Sequence, residues 1–309
     1  MKKCSRSNLM VILTALTFNS CTSPSIEILK TTSLSQYPSA SALTWANETL
    51  YVIGDDATQV LLVNKSHQIK DSIRLVKNYQ GRIRKDEKPD FESSFLLDKA
   101  GKQYLLALGS FSTPNRCQLG WINLETNRLE KVDTIRLLKT GASSINIEGT
   151  TMINKLLVLG NRANTAYPTN QLFLIDWTNE TDLSQSKLRN IEIRFPKSDQ
   201  VVGLSDLHYY APKDWLLFTA STENTANAYS DGIIGDSYIG VIKNISKKLH
   251  RQEIMPDSFQ NLKEYLGRNK TYKIEALAIE SEEAGNLVLH LAADNDNGKS
   301  TLFKLRWKP

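Results

Sequence analysis

The chain has 309 residues, of which 40% are hydrophobic and 23% charged, with a formal net charge of +5. That much apolar residue is enough for a sizeable core and excludes a disordered chain. Three of the basic residues, Lys2, Lys3 and Arg6, belong to the N-terminal leader described next. Without them 35 basic side chains face 33 acidic ones, a balance that gives no support for nucleic-acid binding.

The N-terminus reads as a secretory leader. Lys2, Lys3 and Arg6 form a basic region, Leu9 to Phe18 is apolar, and Phe18-Asn19-Ser20-Cys21 follows. The apolar run is about 10 residues long, half of the roughly 20 that a membrane-spanning helix needs. The last four residues resemble the lipobox of bacterial lipoproteins, where a small residue precedes an acylated cysteine. Ser20 and Cys21 fit that pattern, whereas Phe18 and Asn19 depart from its commonest form. The expected organisation is a signal peptide over residues 1–20, a lipidated tether over 21–25 and one domain over 26–309. The expected place is the bacterial cell envelope, anchored by lipid on Cys21 to the outer membrane. An ordinary secretory peptide with an accidental cysteine is the alternative. Of the other cysteines, Cys4 leaves with the leader, so Cys117 has no partner for a disulfide. It lies in the alternating run Cys117 to Ile122 and reads as a small core residue.

Beyond residue 25, short runs rich in Val, Ile, Leu, Phe and Tyr recur in a fixed order. First strands begin at Ser39-Ala40-Ser41-Ala42, Asp90-Phe91-Glu92-Ser93, Asn146-Ile147-Glu148-Gly149, Gly203-Leu204-Ser205-Asp206 and Lys273-Ile274-Glu275-Ala276. Second strands end on a small residue followed by polar ones, as in Tyr51-Val52-Ile53-Gly54-Asp55 and Leu106-Ala107-Leu108-Gly109-Ser110. Third strands lie at 59–63, 119–122, 171–175, 238–242 and 301–305. Outer strands are expected at Ile69 to Leu75, Leu129 to Leu137, Leu188 to Phe195 and Leu249 to Ile254. The segment Met255 to Tyr272 reads as helix or loop. The fifth unit has no outer strand of its own, and Ile26 to Lys30 has no unit. Pairing the two closes a ring and removes the edges of an open sheet. The fold is therefore expected to be an all-β five-bladed β-propeller closed by the N-terminal strand, with six blades or a β-sandwich as alternatives.

Propeller topology puts the starts of first strands and the ends of second strands on one face. The third positions of the first strands are Ser41, Glu92, Glu148, Ser205 and Glu275, so three glutamates converge on one axis. Like charges brought together need a cation, a basic partner or a raised pKa. Glu92, Glu148 and Glu275 are the expected ligands of a divalent cation such as calcium. Asp90, Asn146, Asp206, Glu223, Lys88, Arg116, Arg162 and Lys273 border the same mouth and join them as candidate ligand-binding residues. The four basic residues among these could hold a phosphate or carboxylate. The same glutamates could instead hydrogen-bond backbone amides and hold blades in register. The four histidines, His67, His208, His250 and His290, sit at unrelated repeat positions, which argues against Ser/His/Asp chemistry.

The runs Lys88-Pro89-Asp90-Phe91-Glu92, Asn146-Ile147-Glu148-Gly149, Glu223-Asn224-Thr225 with Asp231-Gly232, and Lys273-Ile274-Glu275-Ala276 resemble a family of propeller proteins of unknown function, many of them lipoproteins of Bacteroidota. More distantly, the acidic starts of the inner strands are similar to phytase-like esterase and calcium-dependent lactonase propellers. The resemblance implies a ligand-facing central funnel and carries no reaction with it. Two classes stay open at this level. One is a metal-assisted hydrolase of esters, lactones or phosphate esters. The other is a non-catalytic, monomeric propeller binding a small molecule, glycan or protein at the envelope.

Cys21→Ser expressed in a bacterial host should move the protein from the membrane to the soluble fraction, read by fractionation and by loss of fatty-acid label. Equal membrane retention of the variant would end the lipid-anchor reading.

Overall fold

Period-two alternation of apolar residues, broken every few residues by Gly, Asn, Asp or Ser, dictates short antiparallel strands rather than helices. A computed structural model describes residues 25–76, 79, 81–136, 144–177, 182–183, 186–223, 234–268, 270–294 and 298–309. The leader, Cys21, most of the tether, and the loop residues 224–233 that carry part of the family resemblance lie outside the described residues.

The N-terminal strand β1 (Ser25–Leu34) precedes the first blade, which is β2 (Ala40–Ala46), β3 (Thr49–Gly54), β4 (Gln59–Val63) and β5 (Ile69–Arg74). The second blade is β6 (Phe91–Lys99), β7 (Lys102–Gly109), β8 (Gln118–Asn123) and β9 (Arg128–Thr134). The third is β10 (Ile147–Ile153), β11 (Leu156–Asn161), β12 (Asn170–Asp176) and β13 (Leu188–Ile193). The fourth is β14 (Val202–Tyr210), β15 (Trp215–Glu223) and β16 (Ile234–Lys243), then β17 (Glu253–Ile254), β18 (Ser258–Asn261) and the one-turn helix α1 (Lys263–Leu266). The fifth is β19 (Lys273–Glu283), β20 (Asn286–Asp294) and β21 (Ser300–Lys308).

The ring closes as the repeat demands. Strand β1 runs antiparallel along β21, from Ser25 opposite Lys308 to Leu34 opposite Ser300, and supplies the fifth blade's missing outer strand. The innermost strands pack in sequence, β2 on β6, β6 on β10, β10 on β14, β14 on β19, and β19 back on β2. Five blades therefore complete the circle.

The outer edge of the fourth blade corrects the sequence reading. Its outer strand is β18, paired antiparallel with β16 from Tyr238 opposite Asn261 to Val241 opposite Ser258. The segment expected there ends instead in β17, which lies parallel to β13 of the third blade. Packing explains the exchange. Phe259 of β18 stacks on Tyr238, with ring centroids 4.6 Å apart, and on Phe195, at 5.1 Å. Ile254 is buried beside Ile193 in the core shared by blades three and four. A turn rather than a long loop thus joins the two, and Met255 at the bend is exposed.

Five apolar clusters fill the ring, one at each blade interface. Each is built from both faces of adjacent sheets, as sheet-on-sheet packing requires. The glycine that ends the second strand of each of the first two blades has a steric cause. A Cβ on Gly109 would stand 2.1 Å from the Arg116 carbonyl oxygen, and one on Gly54 would stand 2.7 Å from that of Pro38. The chain entering the blade crosses too close there for any side chain.

Deleting residues 22–34 removes a ten-residue strand and the burial of Ile26 and Leu34. The loss should be on the order of 5 kcal/mol, since each ladder bond and buried apolar side chain contributes about 1 kcal/mol or more. A melting temperature lower by about 10 °C or more is expected in calorimetry. An unchanged melting curve would remove β1 from the ring.

Candidate functional site

Every inner strand carries a register shift against its neighbour at the same point of the repeat. The extra residue is Ser41 in β2, Glu92 in β6, Glu148 in β10, Ser205 in β14 and Glu275 in β19. A bulge leaves one residue outside the ladder and re-aims its side chain. Five equivalent bulges thus gather these side chains at the head of the central channel.

The charges there fall into two groups. On the first and second blades, the Lys88 ammonium sits between Asp55 and Asp90, touching the first and lying 2.6 Å from Oδ1 of the second. The other oxygen of Asp90 accepts from the buried Arg116 guanidinium at 2.8 Å and from Ser110 Oγ at 2.5 Å. On the third to fifth blades, Arg162 is the hub. It donates to the Leu204 carbonyl oxygen at 3.1 Å, to Ser205 Oγ at 2.7 Å and to Ser221 Oγ at 2.9 Å, and it lies 3.3 Å from Glu223. Lys273 lies 2.9 Å from Glu275 and 3.3 Å from Glu223. Glu148 stands between the two groups and accepts from Asn146 Nδ2 at 2.5 Å.

Six carboxylates, Asp55, Asp90, Glu92, Glu148, Glu223 and Glu275, thus share the funnel with four cations, Lys88, Arg116, Arg162 and Lys273. The surplus shows in the titrations. Burial drives Glu92 well above the usual carboxylate range, and Asp90, Glu148 and Asp55 add to the push while Lys88 opposes it. Burial likewise lifts Glu148 to about 8, against Arg162 and with Glu275. It lifts Asp55 to about 6 despite the attraction of Lys88. Burial disfavours the charges of Lys88, Arg162 and Lys273, but the carboxylates around them outweigh it and hold all three above their ordinary values. Burial and the neighbouring acids thus push these carboxyls toward the neutral form, while the carboxylates hold the bases in the charged form.

The funnel joins most of the residues expected from the sequence, with a different cation set. Among the described residues, the carboxylates whose oxygens come within 4.8 Å of one another are Asp55, Asp90 and Glu92. The expected trio shares only Glu92 with these, because Glu275 is drawn to Lys273 and Glu148 to Asn146. All three donors are carboxylates, the chemistry of a hard cation such as calcium or magnesium. One oxygen of Asp55 is buried without a hydrogen-bond partner, and Lys88 is the built-in competitor for the same position. Asp206 stands apart from the site. Its oxygens accept from the backbone amides of Leu207 and Leu277 at 2.7 and 2.8 Å, so it staples the fourth blade to the fifth. Arg116 is 2% exposed and spent on Asp90, which leaves it no room to reach a ligand. Asp55 escaped the sequence reading, although it follows Gly54 where the other blades carry Ser110, Asn161 and Ser221. The topology that puts second-strand ends beside first-strand starts was the signal for it. Beyond Asp55 and Lys88 the funnel opens into a cleft of about 280 Å³ bordered by Asp56, Arg82, Lys85 and Asp294.

Glu148→Gln keeps the acceptor for Asn146 and removes the proton equilibrium. The native carboxyl titrates above its unfolded value, so the wild type binds more protons folded than unfolded and loses stability as pH rises from about 4.5 to about 8, by up to about 1.4 kcal/mol per pH unit. The variant should gain on the wild type across that window in urea unfolding. A constant difference between pH 5 and pH 8 would show that Glu148 is ionised throughout.

The chain has matches of low sequence identity among solved structures. A glutaminyl cyclase of Myxococcus xanthus superimposes with a TM-score of 0.53 at 9% identity, over 92% of this chain and 96% of that one. That likeness extends to the fold alone. A tail fibre of Staphylococcus aureus phage P68 gives 0.47 at 10% identity over 91% and 53% of the two chains. A member of the duf4221 family from Bacteroides vulgatus gives 0.37 at 10% identity over 92% and 98%. No curated protein matches the sequence. Residues 36–307, which span all five blades, match a family of unknown function, DUF6929, and the chain belongs to it.

Proposed function

We propose that this propeller binds a divalent cation of the calcium kind at Asp55, Asp90 and Glu92, and through it a small ligand carrying a phosphate or carboxylate. The observation that carries the reading is the surplus of two carboxylates in a water-poor funnel. One divalent cation would neutralise what two protons now neutralise. When bound, such an ion supplies a Lewis acid and lowers the pKa of water. The chain's own residues do the rest. Lys88 yields its place between Asp55 and Asp90, Arg162 and Lys273 balance Glu223 and Glu275 on the far wall, and Glu148 holds a proton near neutral pH.

A cation-dependent hydrolase of esters, lactones or phosphate esters is the reaction this arrangement fits, because Glu148 could donate a proton to a leaving group. A non-catalytic propeller is the competing reading, since one fold serves many functions. The leader and Cys21 support a lipid anchor at the bacterial envelope, and the resemblance to Bacteroidota lipoproteins points the same way.

Calorimetric titration with calcium chloride at pH 6, 7.5 and 8.5 tests the site. Cation and protons compete for the same oxygens, so affinity should rise with pH and the measured heat should depend on the buffer. Lys88→Met should bind more tightly by about tenfold or more and Glu92→Gln more weakly, consistent with charge interactions of about 1–3 kcal/mol. No heat with calcium, magnesium or manganese at any pH would overturn the cation. A hydrolysis panel run with and without chelator, including an N-terminal glutaminyl peptide because of the shared fold, separates enzyme from binder. Turnover lost on chelation supports the hydrolase, and no turnover on any substrate leaves the binding propeller.

A further inference from the structure

The seam where the fifth blade meets the first has the most alanine-rich apolar core of the five. Five of its thirteen buried hydrophobic residues are alanines, Ala40, Ala57, Ala276, Ala278 and Ala292, whereas the seam between blades two and three contains none. A polar chain runs across this seam. His67, in the turn between β4 and β5, places Nε2 2.9 Å from Nδ1 of His290 in β20. His290 Nε2 lies 2.7 Å from Glu280 Oε2 in β19, and His67 Nδ1 lies 3.2 Å from Thr32 Oγ1 in β1. Both rings are buried, at 4% and 0% exposure, and Trp45 of β2 stacks on His290 at 5.3 Å.

One proton arrangement satisfies every atom of this chain. Thr32 donates to His67 Nδ1, His67 Nε2–H to His290 Nδ1, and His290 Nε2–H to the Glu280 carboxylate. Both imidazoles are then neutral and both carry the proton on Nε2. An added proton can keep these contacts, because Thr32 Oγ1 can also accept from His67 Nδ1–H, so what opposes it is the burial of both rings beside Lys30 and Lys304. The turn has further ties to the fifth blade, because Lys30 Nζ donates to the Ser66 carbonyl oxygen at 2.7 Å and Lys304 Nζ to that of Lys65 at 3.3 Å.

We propose that the Thr32, His67, His290 and Glu280 chain is an acid-sensitive clasp on the ring, which holds β1 and the first blade's turn to the fifth blade while both histidines are neutral and releases them when the pair takes up a proton.

The charges facing the pair agree with this. Burial, His290, Lys30 and Lys304 together lower His67 to about 3, with Glu280 alone pulling the other way. Burial lowers His290 as well, against Glu280 and with Lys304. Burial opposes the charge on Glu280, but hydrogen bonds from His290 and Lys304 prevail and hold it at about 2. For a histidine depressed on folding, the stabilisation is complete above the unfolded pKa and is lost as pH falls below it. The window opens near pH 6.5. Taking about 6.5 in the open state and about 3 in the closed one, His67 alone makes opening about 30-fold more favourable at pH 5 than at pH 8. His208 in β14 is also lowered by burial, to about 4, so a global unfolding curve would mix two sources and the measurement has to be local.

The test is hydrogen exchange followed by mass spectrometry on the full-length protein at pH 8 and pH 5, corrected for the intrinsic rate, with peptides from blade three as internal reference. Peptides over residues 25–34 and 60–70 should lose about 30-fold of protection relative to the reference. His67→Gln presents an amide donor where Nε2 stood and carries no charge, so its seam should change less than about threefold. A seam that tracks blade three in the wild type, or a full acid response in His67→Gln, would overturn the clasp. Should the variant fail to fold, nitrogen-15 spectra of the wild-type histidines decide. Nε2–H tautomers for both rings, neutral down to pH 5, support it, and a ring of either pair member titrating near 6.5 overturns it.

Discussion

The inner-strand bulge is the constraint on which the site depends. A regular ladder would send successive side chains alternately into the two faces of a blade, where the core clusters lie, and none toward the axis. One extra residue per inner strand breaks that alternation at one level of the ring. What the sequence puts there is then forced together, and in three of five blades it is glutamate. Serine fills the other two, and each serine serves a neighbour. Ser41 Oγ donates to the Phe91 carbonyl oxygen at 2.6 Å, and Ser205 receives Arg162.

Such crowding is unfavourable unless each charge finds a partner. The chain supplies partners from the next available positions, the residue two before the bulge in Lys273 and the loop after a second strand in Arg116 and Arg162. These suffice for four of six carboxylates. The remainder is met by protons, which is why the two glutamates that no cation touches, Glu92 and Glu148, are the ones pushed furthest toward neutrality along with the stapling Asp206. The proposed cation would compete with those protons for the same oxygens.

The repeat was legible because closure fixes it. Fifteen of the strands, three in each blade, follow one grammar of small, apolar and polar residues, and the fifth unit's missing outer strand pointed to Ile26 to Lys30, which lies within β1 (Ser25–Leu34). The fourth blade's edge was misread because outer strands are half exposed and carry little period-two signal. What decided it was Phe259 finding Tyr238 and Phe195, a contact between residues 21 and 64 positions apart that no local pattern announces. The convergence of Glu92, Glu148 and Glu275 was legible from register alone. Which carboxylates come closest was not, since it depends on side-chain reach across blades, and Asp55 meets Asp90 only through Lys88.

The same ring uses two kinds of polar network for opposite ends. In the funnel, carboxylates outnumber cations, and a change of ligand or pH alters their protonation without breaking a strand. At the closing seam, the groups match one for one when both imidazoles are neutral, and the apolar core beneath them is rich in alanine. A fully satisfied network specifies one geometry, and a partly satisfied one remains open to an outside partner. Satisfaction thus coincides with the place where the chain's first strand is held, and surplus with the place of the proposed cation. The closing strand begins at Ser25, directly after the segment that carries Cys21, so any pull transmitted through a lipid tether would act first on β1 and hence on the histidine seam rather than on the bulges that shape the funnel.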